Sequence, residues 1–160
     1  MDLSSVKAIP GKGENVIIGH SHFIKTVEDI YEAIIETNPA MKFGVAFCEA
    51  SGDCLIRFDG NTDEMVKKAV GLAKEIGAGH SFVIFIKDGY PVNVLNRLKT
   101  VSEVVNIHAA TANPIEIIIA QSSQGRGILG VIDGESPKGV ETEEKARERK
   151  TFLRAIGYKR

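Results

Sequence analysis

Three apolar segments of strand length follow one another in the C-terminal half of the chain, with only turns between them. They are Val104–Ala109, Ile115–Gln121 and Gly127–Ile132, and Pro114 and Gly125 separate them. A doubly wound parallel sheet alternates strands with helices, so three successive strands argue against that architecture. The region therefore favours an α+β fold.

The remaining elements agree with that class. A hairpin is predicted from Phe43–Cys48 and Cys54–Phe58 across a Ser51–Asp53 turn, and further strands cover Asn15–Ile18 and Phe82–Ile86. Helical spacing of apolar residues predicts four helices, which run from an N-cap at Thr26 to Asn38-Pro39, from an N-cap at Thr62 to Ile76, from Pro91 to Val101, and from Thr142 to near Gly157. We expect residues 1–160 to form one α+β domain with about four helices and a mixed, largely antiparallel sheet.

Composition narrows the classes of partner. The formal net charge is −1 with 26% charged residues, so the chain has no overall attraction to nucleic acid or to an anionic membrane. No signal peptide is visible and no apolar run approaches the roughly 20 residues of a membrane span, which predicts a cytoplasmic protein. Two cysteines, Cys48 and Cys54, are too few for a disulfide framework and are expected to be reduced. The absence of Trp is compatible with a thermophilic source.

The run Gly77–Ser81 lies between an amphipathic helix and an apolar strand. Gly77 and Gly79 let the backbone turn sharply and point N–H groups at an anion, with His80 beside it. A neutral imidazole can accept a proton or attack phosphorus, because its ordinary pKa of about 6.5 leaves a lone pair free. A structural interpretation carries equal weight: Gly77 ends the helix, Gly79 makes a turn and His80 begins the strand. The run is not a P-loop.

Charged residues beside turns form a second group of candidates. Arg126 stands between two glycines, and a guanidinium there would clamp phosphate oxygens bidentately. Lys138, in the loop 133–139, is a second candidate cation. Glu49, where the first hairpin strand enters its turn, would accept a proton or bind ribose hydroxyls. Each of these side chains could instead be solvated.

Amide side chains form a third group. Asn93, Asn96 and Asn113 carry groups that can read the edge of a nucleobase. The stretch Thr111 to Pro114 is also typical of a simple turn.

The other histidines are weaker candidates. His20-Ser21-His22 places two imidazoles on one face of a strand, where they could ligate a metal, but no Glu, Asp or Cys companion has a diagnostic spacing. His108 lies within a strand pattern, which is more typical of an interior histidine than of a ligand. We assign no metal ligands.

These runs resemble a known family when they are taken together and in order. The stretches are Ser21–Asp29, Phe43–Gly52, Gly77–Phe82, Pro91–Asn96, Ala110–Pro114, Gly125–Gly134 and Ser136–Glu141. They resemble the small archaeal and bacterial family called adenosine-specific kinases, over roughly residues 15–141. Members often carry Gln at the position of His20 and Cys at that of His108, so neither is expected to share the family's chemistry.

The resemblance implies an adenosine or adenine-nucleotide site, with ATP or AMP as ligand, and a phosphorylatable histidine whose role falls on His80. Mg²⁺ is expected if ATP is the donor. Stabilisation of the transferring phosphate falls to Gly77, Gly79, Ser81 and Arg126, and orientation of the imidazole or a ribose hydroxyl to Glu49. The nucleotide contacts implied are Asn93, Asn96, Thr111, Asn113 and Lys138. A homo-oligomer, a trimer or higher, with sites near subunit boundaries is also implied.

The leading hypothesis is an adenosine-nucleotide-binding phosphotransferase that uses, or is regulated by, a phosphohistidine at His80. The alternative is a module that senses adenosine or AMP without catalysis, because the same glycine turn and Arg126 would serve a sensor. A third interpretation is a structural oligomeric subunit, which specific nucleotide binding would exclude.

Overall fold

The computed structural model describes all 160 residues. The helices are Thr26–Thr37 (α1), Asp63–Ile76 (α2), Pro91–Lys99 (α3) and Glu143–Ala155 (α4). The strands are Asp2–Ala8 (β1), Glu14–Ser21 (β2), Lys42–Cys48 (β3), Ile56–Gly60 (β4), Ser81–Lys87 (β5), Val104–Thr111 (β6), Ile115–Gln121 (β7) and Arg126–Asp133 (β8). None of the four helices is long and apolar enough to cross a membrane.

The strands divide between two sheets. Five form a sheet in the order β4-β3-β5-β2-β6, and three form a second sheet in the order β1-β7-β8. Every pairing is antiparallel. The prediction of an α+β domain with about four helices and largely antiparallel pairing is confirmed, but the strands form two sheets and neither contains the parallel pair that a mixed sheet would have.

The five-stranded sheet has a separate core on each face. Its inner strands β3 and β5 are nearly continuous apolar runs, as expected of a sheet covered on both sides. On one face it packs against α1 and α3, with Phe43, Phe47 and Phe82 fully buried. On the other it packs against α2 and the inner face of the three-stranded sheet, including Ile117 and Ile119. The ends of the central strands β2, β3 and β5 are left to form sites.

Several elements differ from the sequence prediction, and strand β2 continues to Ser21 rather than ending at Ile18. Strand β1 was not predicted, because Ser4, Ser5 and Lys7 interrupt its apolar pattern and only Val6 and Ala8 pack inward. Strand β4 begins at Ile56 rather than at Cys54, whose left-handed backbone (φ +52°) lengthens the turn.

Two helix boundaries also differ. Thr26 is the first residue of α1 and not its N-cap, because its hydroxyl donates to the carbonyl of Phe23 while Lys25 occupies the cap position. Helix α3 ends at Lys99 rather than Val101. Thr62 does occupy the N-cap of α2, although its buried hydroxyl has no hydrogen bond.

Candidate functional site

His80 stands at the end of the five-stranded sheet, immediately before β5. Its backbone is left-handed (φ +63°), a conformation that is costly for a residue other than glycine and that recurs at functional sites. Two hydrogen bonds fix this backbone: its N–H donates to the carbonyl of Cys48 (2.7 Å), and its carbonyl accepts from the N–H of Ser21 (2.9 Å). The ends of β2 and β3 therefore hold His80 between them.

The imidazole of His80 is half-buried between two other rings. It stacks on Phe47, with 5.8 Å between centroids and 18° between planes. It meets His20 edge-on, with 5.9 Å between centroids and 74° between planes. Contacts on two sides restrict the rotation of the His80 ring, which leaves it positioned before any ligand arrives.

The glycine turn leading to His80 is tightly packed. Gly77 ends α2 in the left-handed conformation (φ +57°), and a Cβ on Gly79 would lie 2.9 Å from the Cβ of Ala50. The N–H groups of Gly77 and Ser81 donate to the carbonyls of Ala73 and Ala78. Those of Ala78 and Gly79 have no partner within the chain. Two N–H groups of the run therefore make no hydrogen bond within the chain, and one of them belongs to the buried Ala78.

Arg126 lies against this turn from the start of β8. Its Nη1 donates to the carbonyl of Glu75 (3.1 Å) and its Nε to Oε1 of Gln121 (2.9 Å). These bonds hold an exposed guanidinium over Gly77 with donors to spare, since an arginine has five N–H groups. The turn Gly77–Ser81, which contains His80, and Arg126 therefore lie next to each other in the structure.

Two concave regions share Arg126 and Gly79 as a common wall. One, the Glu49 cleft, has a volume of about 600 Å³ and is lined by Glu49, Gly77, Gln121 and their neighbours. The other, the histidine cavity, has a volume of about 380 Å³ and is lined by His20, Ala78, Gly79, Ser81, Val105, Asn106, His108, Arg126, Gly127 and Ile128. His80 lines neither region, but its ring contacts that of His20, which lines the histidine cavity.

Glu49 is engaged with other partners. Its carboxylate accepts from the N–H of Leu55 (2.8 Å) and from Nε of Arg57 (2.9 Å). The Leu55 N–H and the Arg57 guanidinium together hold the pKa of Glu49 below its ordinary value. The side chain makes no hydrogen bond with His80, so an imidazole-orienting role is not part of this geometry.

His20 and His108, which were not expected to share the site's chemistry, both line the histidine cavity. Strand β6 bulges twice against β2, and the extra residues at the two bulges are His108 and Val105. Bulges redirect side chains and occur beside active sites, and both extra residues line the histidine cavity. No sequence pattern marks these bulges. His22 lies apart, exposed and stacked on Phe23, so His20 and His22 do not converge.

Burial lowers the pKa of both cavity histidines. For His20 burial is the main cause, and the charges that His80 and His108 acquire on protonation lower its pKa further. For His108 burial alone accounts for the lowered pKa. Both imidazoles are therefore neutral at pH 7 in the unliganded protein.

The predicted nucleoside residues lie at the opposite end of the sheet. Asn96 and Thr111 line an apolar cleft of about 980 Å³ with Tyr90, Leu95, Phe152 and Tyr158 among its walls. The cleft also includes Asn15, five residues before His20 on β2, which places it about 17 Å from the histidine cavity at the usual rise of a strand. One chain does not bring the two groups of residues together.

Several of these polar residues have local structural roles. Asn93 accepts from the N–H of Tyr90 (2.9 Å) at the start of α3. Thr111 and Asn113 both donate to Oδ1 of Asp133, at 2.8 and 3.0 Å, which ties the β6–β7 turn to the end of β8. Lys138 pairs with Glu135 (2.6 Å) on an exposed loop and lines neither the clefts nor the histidine cavity.

Comparison with known proteins identifies a family and solved structures that resemble this chain. The family model described as "Adenosine specific kinase" matches residues 6–159. A crystal structure of the PH1918 protein from Pyrococcus horikoshii OT3 superposes with a TM-score of 0.95 at 39% sequence identity, covering 99% of this chain and 98% of that one. No curated protein matches the sequence.

Proposed function

Because this chain belongs to the adenosine specific kinase family, we propose that it is a phosphotransferase that binds an adenosine nucleotide and carries a phosphoryl group on His80. The observation that supports this most is the constrained imidazole of His80, which contacts His20 at the edge of the cavity that Arg126, Ala78 and Gly79 also line. A nucleophile held in place gains rate because the ordering cost is met before the reaction.

The transfer step follows from these groups. A ring nitrogen of neutral His80 attacks the terminal phosphorus, forming an N–P bond as the P–O bond to the nucleotide breaks. The leaving oxygen keeps the electron pair of the broken bond. Arg126 and the N–H groups of Ala78 and Gly79 stabilise the negative charge on the equatorial oxygens. The phosphoryl group then passes to an acceptor and His80 returns to its neutral form.

A divalent cation would accompany ATP. The chain has no group of three or more His, Cys, Asp or Glu side chains arranged to hold a metal ion, and Glu49 is paired with Arg57. The nucleotide phosphates and water would therefore supply most ligands of Mg²⁺, as is usual for this ion. When bound, Mg²⁺ would neutralise charge on the donor phosphates.

The nucleoside would occupy the apolar cleft that contains Asn96 and Thr111. Its aromatic walls suit a flat base, and its few polar groups suit the base edge and ribose. Because this cleft and the histidine cavity lie at opposite ends of β2, one nucleotide would reach both only if neighbouring copies join them. We therefore propose a homo-oligomer with composite sites.

Labelling with γ-phosphate-labelled ATP tests the proposal. The protein is kept at alkaline pH, because the N–P bond is acid-labile, and the label is mapped by mass spectrometry. We expect label on His80, none in His80→Ala, and a rate lowered about 10²-fold or more in Arg126→Gln. His22→Gln is the matched control, because His22 lies outside the site.

Two results would reject the mechanism: label on another residue, or normal transfer by His80→Ala. Nucleotide binding by calorimetry without any label or turnover would assign the chain to the alternative class, a sensor of adenosine or AMP.

A further inference from the structure

The titratable side chains around the histidine cavity form an unusual set. Its titratable lining groups are His20 from β2, His108 from β6 and Arg126 from β8, and His80 of the turn before β5 abuts His20. No carboxylate lines it. A concave region with a guanidinium, free N–H groups and no acid attracts anions.

On this basis, and resting on the proposed phosphotransferase function, we propose that the cavity binds a tetrahedral oxyanion together with one proton, which the His20–His108 pair takes up from water. The anion is the transferring phosphoryl group in the reaction. When the anion leaves, the proton returns to water, so the cycle is balanced.

The physical reason is charge compensation. Without an anion, burial keeps both imidazoles neutral, and Arg126 is the cavity's one permanent charge. A dianion at the cavity favours an imidazolium, which reverses the effect of burial. Protonation of His20 or His108, rather than of His80, leaves the lone pair of His80 free for attack. The extra histidines thereby supply positive charge without consuming the nucleophile.

Sulfate is the probe that isolates this effect. It is a tetrahedral dianion that does not titrate between about pH 6 and about pH 8, the range in which histidines do, so any pH dependence belongs to the protein. Calorimetry in buffers of different ionisation enthalpy measures the protons taken up per sulfate bound. We expect an uptake approaching one proton, with affinity weakening by up to about tenfold per pH unit as the pH rises.

Variants locate the proton. We expect His20→Gln and His108→Asn each to reduce the uptake and flatten the pH dependence of affinity, and His22→Gln to match the wild type. Imidazole NMR resonances of the wild-type protein supply a readout that needs no variant: sulfate should raise the pKa of His20 or His108, and the chemical shifts of His22 should not respond to sulfate.

Three results would overturn the proposal: absence of sulfate binding, binding without proton uptake, or uptake that both cavity variants retain and NMR assigns to His80. Labelling of His80 by ATP in the same preparation separates the two claims. Label without proton uptake rejects only the coupled proton, whereas absence of label rejects the phosphotransferase function itself.

Discussion

Replacement of Gly44 by alanine tests the close approach between β3 and α2. A Cβ at this position would stand 2.2 Å from the backbone nitrogen of Val66 and 2.4 Å from the carbonyl carbon of Met65. Ordinary contacts begin near 3.4 Å, so strand and helix would have to separate by about 1 Å, a large displacement in a close-packed interior.

The magnitude follows from what the separation disturbs. Overpacking typically costs about 1–3 kcal/mol, and here the obstructing atoms are backbone that cannot rotate away. Helix α2 also buries Met65, Ala69, Leu72, Ala73 and Ile76 against the sheet. We therefore expect Gly44→Ala to lower the free energy of unfolding by about 3 kcal/mol, which is a fall in Tm of roughly 6–12 °C for a chain of this size.

Gly71→Ala is the matched control, because Gly71 lies on α2, the helix that packs against Gly44. Gly71 is exposed and a Cβ there would meet nothing within 4 Å, so the change should raise stability by up to about 1 kcal/mol through better helix propensity. Urea and thermal unfolding, followed by circular dichroism, measure both. The reasoning is refuted if Gly44→Ala unfolds with the wild type or if the two variants lose equal stability.

Two further predictions concern polar contacts. Arg57→Gln removes the guanidinium that helps to lower the pKa of Glu49, whose ordinary value is 4.5. A carboxyl group whose pKa is lowered by folding stabilises the fold above its ordinary pKa, and this contribution is lost as the pH falls through the folded-state pKa. The loss of stability in Arg57→Gln, measured by urea unfolding, should therefore shrink below about pH 4.5. A loss that is the same at every pH would contradict this. Asp133→Ala removes the acceptor to which Thr111 and Asn113 donate and should lower the free energy of unfolding by about 1–2 kcal/mol in thermal unfolding. Asp133→Asn keeps an acceptor oxygen and should lower it less. Equal losses in the two variants would exclude the hydrogen bonds as the cause.

Local sequence rules predicted the parts of the fold that local physics determines. Helix α2 has acidic residues in its first turn and Gly77 as a left-handed C-cap, and both features can be read from sequence. Thr142 caps α4 by accepting from the N–H of Lys145, as its residue type suggests. Strand β1 depends instead on its distant partner β7, because its own residues lack a clear alternating pattern.

The candidate site divides in the same way. The turn around His80 and the arginine beside it could be predicted, because glycines and a guanidinium mark them in the sequence. The convergence of His20 and His108 could not, since it depends on two bulges in the pairing of β6 with β2. The separation of Asn96 from His80 could not be predicted either, because it follows from the order of strands in the sheet.

The position of β1 also bears on how the chain folds during synthesis. Asp2 pairs with Gln121 and Ala8 with Ile115, so during synthesis β1 emerges on the order of 110 residues before its partner β7. Until β7 has been synthesised, the backbone N–H and C=O groups of β1 have no partner strand. Contacts this distant in sequence slow folding, and we infer that the three-stranded sheet closes last, over an α2-bearing sheet that is already assembled.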